Sequence, residues 1–252
     1  MIITKTPFRI SFFGGGTDYP EWYLKNGGQV LGTTINKYAY ISCRRLPSFN
    51  KHKYQIVYSE VERCNNISDI KHPAARACIS SSNILDGLEI HYDSDMPARS
   101  GLGSSSTYTV GLLHCLHAYK GQYKTKMELA NEATYIEHDV LKENVGSQDQ
   151  IHAAFGGFNH IKLNRNNEFS VNPVVVSASK KNILNKNLML FYTGISRFSS
   201  TIAKSQIESI GLNETKLNLM SSYVDEALHI LGNNDRDIND FGLLLNESWH
   251  QK

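Results

Sequence analysis

A short loop of glycine and hydroxyl residues constrains this chain more than any other stretch of its sequence. The loop Pro97-Ala98-Arg99-Ser100-Gly101-Leu102-Gly103-Ser104-Ser105-Ser106 follows a strand-like run at 88–92 and precedes a helical apolar pattern. A strand, a glycine-serine loop and a helix in this order present backbone N–H groups at a helix N-terminus, where an anion is stabilised. Because Gly101 and Gly103 lack a Cβ, the backbone can approach a phosphate closely. The serine hydroxyls predict contacts with phosphate oxygens or with a magnesium ion.

A serine-rich cap for a buried helix is the alternative interpretation of this loop, since serine is a favoured N-cap. One serine is enough for a cap, whereas three follow Gly103. The common P-loop is excluded because no Gly-Lys-Ser or Gly-Lys-Thr follows, and the dinucleotide pattern Gly-x-Gly-x-x-Gly is absent. The local pattern therefore favours phosphate binding of another kind.

The composition is that of an ordinary globular protein. Of 252 residues, 40% are hydrophobic and 20% charged, and the formal net charge is +2. This balance gives no case for nucleic acid or a membrane as a partner. No apolar run approaches the ~20 residues of a spanning helix, and the first residues lack the pattern of a signal peptide. The four cysteines show no Cys-x-x-Cys spacing, so we expect reduced thiols in a cytoplasmic protein.

Two further stretches place acidic residues beside glycines or helix starts. A strand predicted at 2–13 runs into Gly14-Gly15-Gly16-Thr17-Asp18-Tyr19, which is either a flexible turn with a capping aspartate or a substrate pocket. The helix that begins at the capping box of Thr125 carries Glu137, and Asp149 lies at a later loop-to-helix junction. Spacing alone favours a solvated helix-face residue for Glu137, and one interpretation of Asp149 is a first-turn acid stabilised by the helix dipole.

Apolar patterns outside these stretches predict the remaining elements. The turn-forming pair Asn36-Lys37 separates two alternating runs, and an apolar run follows residue 186. The expected strands are 29–34, 38–45 and 187–192, and the expected helices after them are roughly 199–210, 215–231 and 236–249.

The three motif stretches together resemble the GHMP kinases, the superfamily of galactokinase, homoserine kinase, mevalonate kinase and phosphomevalonate kinase. The loop resembles their phosphate loop, and the first stretch resembles their motif Pro-Gly-Arg-Val-Asn-Leu-Ile-Gly-Glu-His-Thr-Asp-Tyr. Gly15 and Gly16 stand where galactokinases carry Glu-His, which favours a sugar-phosphate branch over galactose. The third stretch resembles Gly-x-x-x-Asp-Gln, and Glu137 lies twelve residues before Asp149, as the family's magnesium glutamate precedes its catalytic aspartate.

The resemblance implies an α+β chain with the GHMP kinase fold. We expect a ribosomal-protein-like N-terminal domain at 1–180, which binds ATP and sugar, and part of a smaller helix-and-sheet C-terminal domain at 181–252. The family's third, glycine-rich motif has no counterpart near the C-terminus, where Gly211, Gly232 and Gly242 lie far apart. The sequence therefore predicts a shortened, incomplete C-terminal domain with exposed apolar surface.

The resemblance also implies a role for each site residue. Asp149 and Arg9 are the expected catalytic pair, in which Asp149 accepts the proton of the attacking hydroxyl and Arg9 offsets negative charge. Ser105 and Glu137 are the expected ligands of Mg²⁺, because hard cations take oxygen ligands. The residues expected to hold the ATP phosphates are Arg99, Ser100, Gly101, Leu102, Gly103, Ser104, Ser105 and Ser106. The residues expected to line the sugar pocket are Thr17, Asp18 and Tyr19.

Within the superfamily, Gly-Gly-Gly-Thr-Asp-Tyr-Pro and Gly-Ser-Gln-Asp-Gln-Ile-His-Ala-Ala-Phe-Gly-Gly resemble the branch of D-glycero-D-manno-heptose 7-phosphate kinases. This implies transfer of the ATP γ-phosphate to the anomeric hydroxyl, giving a 1,7-bisphosphate for nucleotide-activated heptose in surface polysaccharide. The expected partners are ATP and a small sugar phosphate; the oligomeric state is left open. The phosphate that the sugar substrate already carries requires a cation to bind it. The candidates are Lys37, Arg44, Arg197 and Lys204. The alternatives are another small-molecule kinase of this fold and a non-catalytic regulator that binds nucleotide or sugar.

Overall fold

The structure is a computed structural model that describes residues 1–84, 86–98, 100–191, 193–194 and 199–251. The chain forms two compact units, and each unit takes residues from several parts of the sequence. The first unit contains 1–9, 34–145 and 149–156, and the second contains 10–33, 146–148 and 157–252. This division interleaves the chain instead of cutting it near residue 180, so the expected domains at 1–180 and 181–252 stay a prediction.

The described residues contain both strands and helices in a mixed order, as the α+β prediction requires. The strands are β1 (Ile2–Phe13), β2 (Gly28–Arg45), β3 (Tyr54–Val57), β4 (Val61–Cys64), β5 (Leu88–Ser94), β6 (Phe158–Leu163) and β7 (Phe169–Pro173). The helices are α1 (Pro20–Asn26), α2 (Pro73–Ser82), α3 (Ser104–Tyr119), α4 (Lys126–Tyr135), α5 (Gln148–Phe155), α6 (Ala178–Asn187), α7 (Ser199–Glu208), α8 (Glu214–Gly232) and α9 (Asn239–Gln251). A π-helical turn, Ile136–Val140, continues α4, and 3₁₀ turns form at Ile67–Asp69 and Ile210–Leu212.

A sheet covered by helices builds the first unit. Its strands lie in the order β4, β3, β5, β2, with β3 parallel to β5 and the other pairs antiparallel. One buried cluster joins Ile41 and Ile90 of the strands to Leu112 of α3 and Leu129 of α4. Because α3 is buried along most of its length, its sequence carries apolar or small residues on nearly every side. This packing fixes the start of α3, and with it the glycine-serine loop.

The second unit contains the start of β2, two further strands and a buried core of its own. Residues 28–33 of β2 pair antiparallel with β6, which in turn pairs antiparallel with β7. Its buried cluster includes Leu31, Val224 of α8 and Phe241 of α9, and the Phe241 ring packs edge-on against Phe13 at 5.1 Å between centroids.

Two predicted details are wrong. The separate strands at 29–34 and 38–45 form one strand, β2, which changes partner from β6 to β5 instead of turning at Asn36. Neither position 36 nor position 37 is a glycine or proline, so the side chains of Asn36 and Lys37 can project from a continuous extended backbone. The strand expected at 187–192 is absent from its described part, since α6 extends to Asn187 and residues 188–191 join no sheet. Met189 and Phe191 in that segment are largely exposed.

The predictions for the other elements agree better with the structure. The helices expected after residue 199 are observed as α7, α8 and α9, with ends shifted by a few residues. The cysteines at 43, 64, 78 and 115 are free thiols, as predicted. Among the described residues, no helix combines the length and hydropathy needed to cross a bilayer.

Candidate active site

The glycine-serine loop ends at the first turn of α3, as the sequence predicts. Gly101 and Gly103 have φ angles of 78° and 77°, in the left-handed region that favours glycine. Ser104 begins α3, so the N-terminal end of a 16-residue helix, which favours an anion, faces the loop. Ser105 is exposed, and the Ser100 hydroxyl is buried without a hydrogen-bond partner in the described part of the chain. Arg99 lies outside the described residues.

Arg9 of β1 forms two hydrogen bonds to the glycine-serine loop. Its amide N–H donates to the carbonyl of Leu102 at 3.2 Å, and its Nη1 donates to the carbonyl of Gly101 at 2.8 Å. These bonds tie two carbonyls of the loop to β1 and so hold the loop backbone in place.

Asp149 lies at the start of α5 and forms a two-pronged ion pair with Arg9. The Arg9 Nε donates to Oδ1 and Nη2 donates to Oδ2, each at 2.7 Å, which is the geometry of a bidentate guanidinium–carboxylate pair. The same carboxylate lies beside the loop, because a Cβ at Gly103 would be 3.3 Å from Oδ2 of Asp149. The structure therefore brings together Arg9, Asp149 and the loop, three features that the sequence predicts to act jointly.

Glu137 lies on the π-helical turn and is fully buried in the first unit. Its Oε2 accepts hydrogen bonds from the Ser106 hydroxyl at 2.8 Å and from the Gln150 amide. Burial raises the pKa of Glu137 to about 7. The neighbouring Thr109 and Ser106 hydroxyls and the Gln150 amide lower this pKa, but their combined effect is smaller than that of burial.

The surroundings of Glu137 fit a magnesium ion. Its Oε1 is buried and has no hydrogen-bond partner among the described residues, so an acceptor oxygen is left for a cation. Magnesium typically takes one or two carboxylates, substrate phosphates and several waters, so a site with few protein ligands is normal. The serine that contacts Glu137 is Ser106, whereas Ser105 is exposed. The assignment of Ser105 as the second ligand stays a prediction.

Two buried residues on α5 escaped the sequence reasoning. Gln150 is fully buried and donates to Glu137, although the Asp-Gln pair in the quoted motif could have marked it. His152 is also fully buried, and neither ring nitrogen has a hydrogen-bond partner in the described chain. Burial, with a smaller contribution from the charge of Arg9, lowers the pKa of His152 to about 3, so its ring is neutral at physiological pH.

The expected sugar-pocket residues lie in the second unit. Thr17 is fully buried, and its hydroxyl lies within hydrogen-bond distance of the carbonyl oxygens of Gly14 and Gln29. These contacts give Thr17 a structural role in the turn. The Asp18 carboxylate accepts from the amides of Gly16 at 3.0 Å and Gln148 at 3.4 Å.

Gly146 and Tyr19 complete the surroundings of Asp18 in that unit. A Cβ at Gly146 would lie only 1.9 Å from Asp18 Oδ2, so glycine is required there. The Tyr19 hydroxyl donates to Gln206 at 3.0 Å. The turn is thus ordered around Asp18, and the sugar contacts of these residues stay predictions.

The candidate cations for a substrate phosphate differ in whether a carboxylate lies close to them. Arg44 is committed to Glu89, to which its Nε donates at 2.7 Å. Lys204 is exposed on α7 at 4.0 Å from Glu208, and Lys37 is exposed in β2. Arg197 lies outside the described residues.

Comparisons with known proteins agree with this geometry. Residues 69–157, which include the loop, Glu137 and Asp149, match the model of the GHMP kinases N-terminal domain. A D-glycero-alpha-D-manno-heptose 7-phosphate kinase of Campylobacter jejuni is 30% identical, over 100% of this chain and 77% of that protein. The chain belongs to the GHMP kinase family. In class it is an ATP-dependent carbohydrate kinase.

The chain is also similar to more distant proteins that are named for other substrates. A galactokinase of Thermosipho africanus is 24% identical over 60% of this chain and 42% of its own length. The crystal structure of a D-glycero-D-manno-heptose 1-phosphate kinase from Bacteroides thetaiotaomicron has a TM-score of 0.81 at 24% identity, covering 100% of this chain and 79% of that chain. The Streptococcus pneumoniae phosphomevalonate kinase in complex with phosphomevalonate and AMPPNP has a TM-score of 0.74 at 14% identity, with the same coverage. These structures confirm the predicted GHMP kinase fold.

Proposed function

We propose that this chain transfers the γ-phosphate of ATP to the anomeric hydroxyl of D-glycero-D-manno-heptose 7-phosphate, giving the 1,7-bisphosphate. The heptose 7-phosphate kinase of Campylobacter jejuni supports this choice of substrate, since it is similar along the whole chain. The product would serve the synthesis of nucleotide-activated heptose for surface polysaccharide. A cytoplasmic location agrees with the four free thiols.

The observation that carries the proposal is the position of Asp149 beside the glycine-serine loop. Phosphoryl transfer needs an anion site for the phosphates and a group that receives the proton of the attacking hydroxyl. The loop supplies the first, and the Asp149 carboxylate, adjacent to Gly103, supplies the second. Both Asp149 oxygens are oriented by Arg9, so the base is fixed before substrate arrives.

The chain's own groups account for each step of the proposed transfer. Amides at the start of α3 hold phosphate oxygens, and Arg9 offsets charge that accumulates as phosphate moves. Asp149 accepts the proton of the anomeric hydroxyl. At the same time the oxygen of that hydroxyl bonds to the γ-phosphorus, and the bond from this phosphorus to the leaving ADP breaks. Glu137, with the predicted Ser105, would hold Mg²⁺, which when bound neutralises phosphate charge.

A substrate panel tests this proposal directly. Purified protein with ATP and Mg²⁺ is assayed for ADP release with heptose 7-phosphate, the unphosphorylated heptose, galactose, fucose and mannose. Because charge-assisted phosphate contacts are strong, kcat/KM for heptose 7-phosphate should exceed that of free heptose by orders of magnitude. Equal values for the two heptoses would refute the heptose-phosphate assignment and favour another sugar kinase of this family.

The panel also separates a kinase from a non-catalytic regulator, the alternative of a different class. A regulator would bind an ATP analogue but release no ADP with any sugar, and Asp149→Asn would change nothing measurable. A kinase must lose its ADP release in that variant while it retains nucleotide binding.

A further inference from the structure

We infer that Gln150 is a positioning residue, which holds the magnesium carboxylate Glu137 to the helical turn that carries Asp149. This inference rests on the proposed function, because it concerns the metal and base residues of that same site.

The two oxygens of Glu137 differ in their hydrogen bonding. The Ser106 hydroxyl and the Gln150 amide donate to the same oxygen, Oε2. A carboxylate oxygen has two lone-pair sites, so this pair of donors fills Oε2. Oε1 is buried and without a donor in the described chain. Gln150 and Ser106 together therefore determine which oxygen of Glu137 is left for a cation.

Gln150 brings an unfavourable buried acceptor into the fold. Its side chain is fully buried, and its own Oε1 has no partner among the described residues. An unpaired buried acceptor is unfavourable, so an apolar side chain of similar length would suit packing alone better than glutamine. The amide is thus explained by the hydrogen bond that it donates to Glu137, and a structural filler would not need it.

One turn of α5 carries both Gln150 and the expected proton acceptor. Asp149 and Gln150 are consecutive in the first turn of α5, and successive helical side chains point about 100° apart. This rotation lets one turn direct Asp149 to Arg9 and Gln150 to Glu137. A single short segment therefore sets the position of the proton acceptor and the orientation of the metal carboxylate.

The test uses Gln150→Met, which keeps the side-chain length and removes the donor. Binding of Mn²⁺ is measured by electron paramagnetic resonance in the presence of AMPPNP, and the melting temperature is measured without metal. Loss of a group that orients a metal ligand typically weakens metal affinity about 10–100-fold, and we expect a loss in this range. The metal-free melting temperature should be unchanged or raised, because an unpaired acceptor is removed. In ADP release, the KM for Mg²⁺ should rise more than kcat falls.

A matched control and a second variant keep the inference open to refutation. Gln122→Met removes a glutamine that contacts His117, away from this site, and should leave Mn²⁺ affinity unchanged. If Gln150→Met does not fold, Gln150→Asn retains the amide but shortens its reach, and the same loss of affinity is expected. Wild-type Mn²⁺ affinity in a folded Gln150 variant would overturn the inference.

Failure of the proposed function has a different readout. In that case the wild-type protein releases ADP no faster with heptose 7-phosphate than with the free heptose, or releases none with any sugar of the panel. The Mn²⁺ affinities of the wild type and of the Gln150 variants still decide whether Gln150 orients the metal carboxylate.

Discussion

Glu137 makes the stability of the metal-free protein depend on pH. Its pKa is raised from 4.5 to about 7 by burial, so the folded state holds a proton that the unfolded chain releases above pH 4.5. A carboxyl with a raised folded pKa contributes stability that is fully present below pH 4.5 and is lost as the pH rises through about 7. Replacement of Glu137 with glutamine, which never ionises, removes this loss.

The size of the effect follows from the shift. One pKa unit corresponds to about 1.4 kcal/mol, so ionising Glu137 in the folded chain costs about 3 kcal/mol above neutral pH. The free energy of unfolding of Glu137→Gln, relative to wild type, should therefore rise by about 3 kcal/mol between pH 4.5 and 7.5. His152 titrates in both proteins, so its contribution cancels in this difference.

Urea unfolding in a chelator, followed by tryptophan fluorescence between pH 4.5 and 8, measures this difference. Glu60→Gln removes an exposed carboxylate and controls for the loss of a negative charge alone. Addition of Mg²⁺ with AMPPNP should reduce the difference, since a cation favours the ionised carboxylate. A difference that stays flat with pH in the chelator would refute the reasoning and show that Glu137 ionises without a burial cost.

Three further substitutions test the site and its support. Asp149→Asn should lower turnover by ~10²–10⁴-fold with little change in melting temperature. Lys180→Met should lower the free energy of unfolding by about 2–3 kcal/mol, because the buried Nζ donates to the carbonyls of Ile230, Asn233 and Arg236 where α8 ends. Gly146→Ala should raise KM for the sugar more than KM for ATP, because the new Cβ would displace Asp18.

The checks for these substitutions differ. Normal turnover in Asp149→Asn would show that another group receives the proton. Lys181→Met, an exposed neighbour, is the control for Lys180, and equal unfolding energies in urea would contradict the capping role. Gly232→Ala, where no atom lies within 4 Å of the new Cβ, is the control for Gly146→Ala in steady-state kinetics.

The sequence predicted the site where its geometry is local. A glycine-serine loop between a strand and a helix determines its own backbone, so its position at the start of α3 could be inferred without the rest of the fold. The capping box at Thr125 is likewise local, and the structure confirms it. The pairing of Arg9 with Asp149 spans 140 residues and came from the resemblance, not from the local pattern.

The remaining details depend on tertiary packing. Which of the successive serines faces Glu137 is decided by the rotation of α3 against the π-helical turn, and this selects Ser106 as its partner. The uninterrupted path of β2 depends on its two partner strands, which a pattern within β2 cannot show. Gln150 was overlooked for the same reason, since only the fold brings it to Glu137.

Asp149 and Glu137 differ in what balances their charge, and this difference supports the roles that we propose for them. Asp149 is partly exposed and already faces the positive charge of Arg9, so its carboxylate has a charged partner without a metal ion. Glu137 is buried among the neutral donors Ser106 and Gln150, and the nearby charge of Glu143 is negative. A divalent cation would supply that charge, whereas a substrate hydroxyl would not. The environments therefore favour Glu137 as the metal ligand and Asp149 as the proton acceptor, and not the reverse.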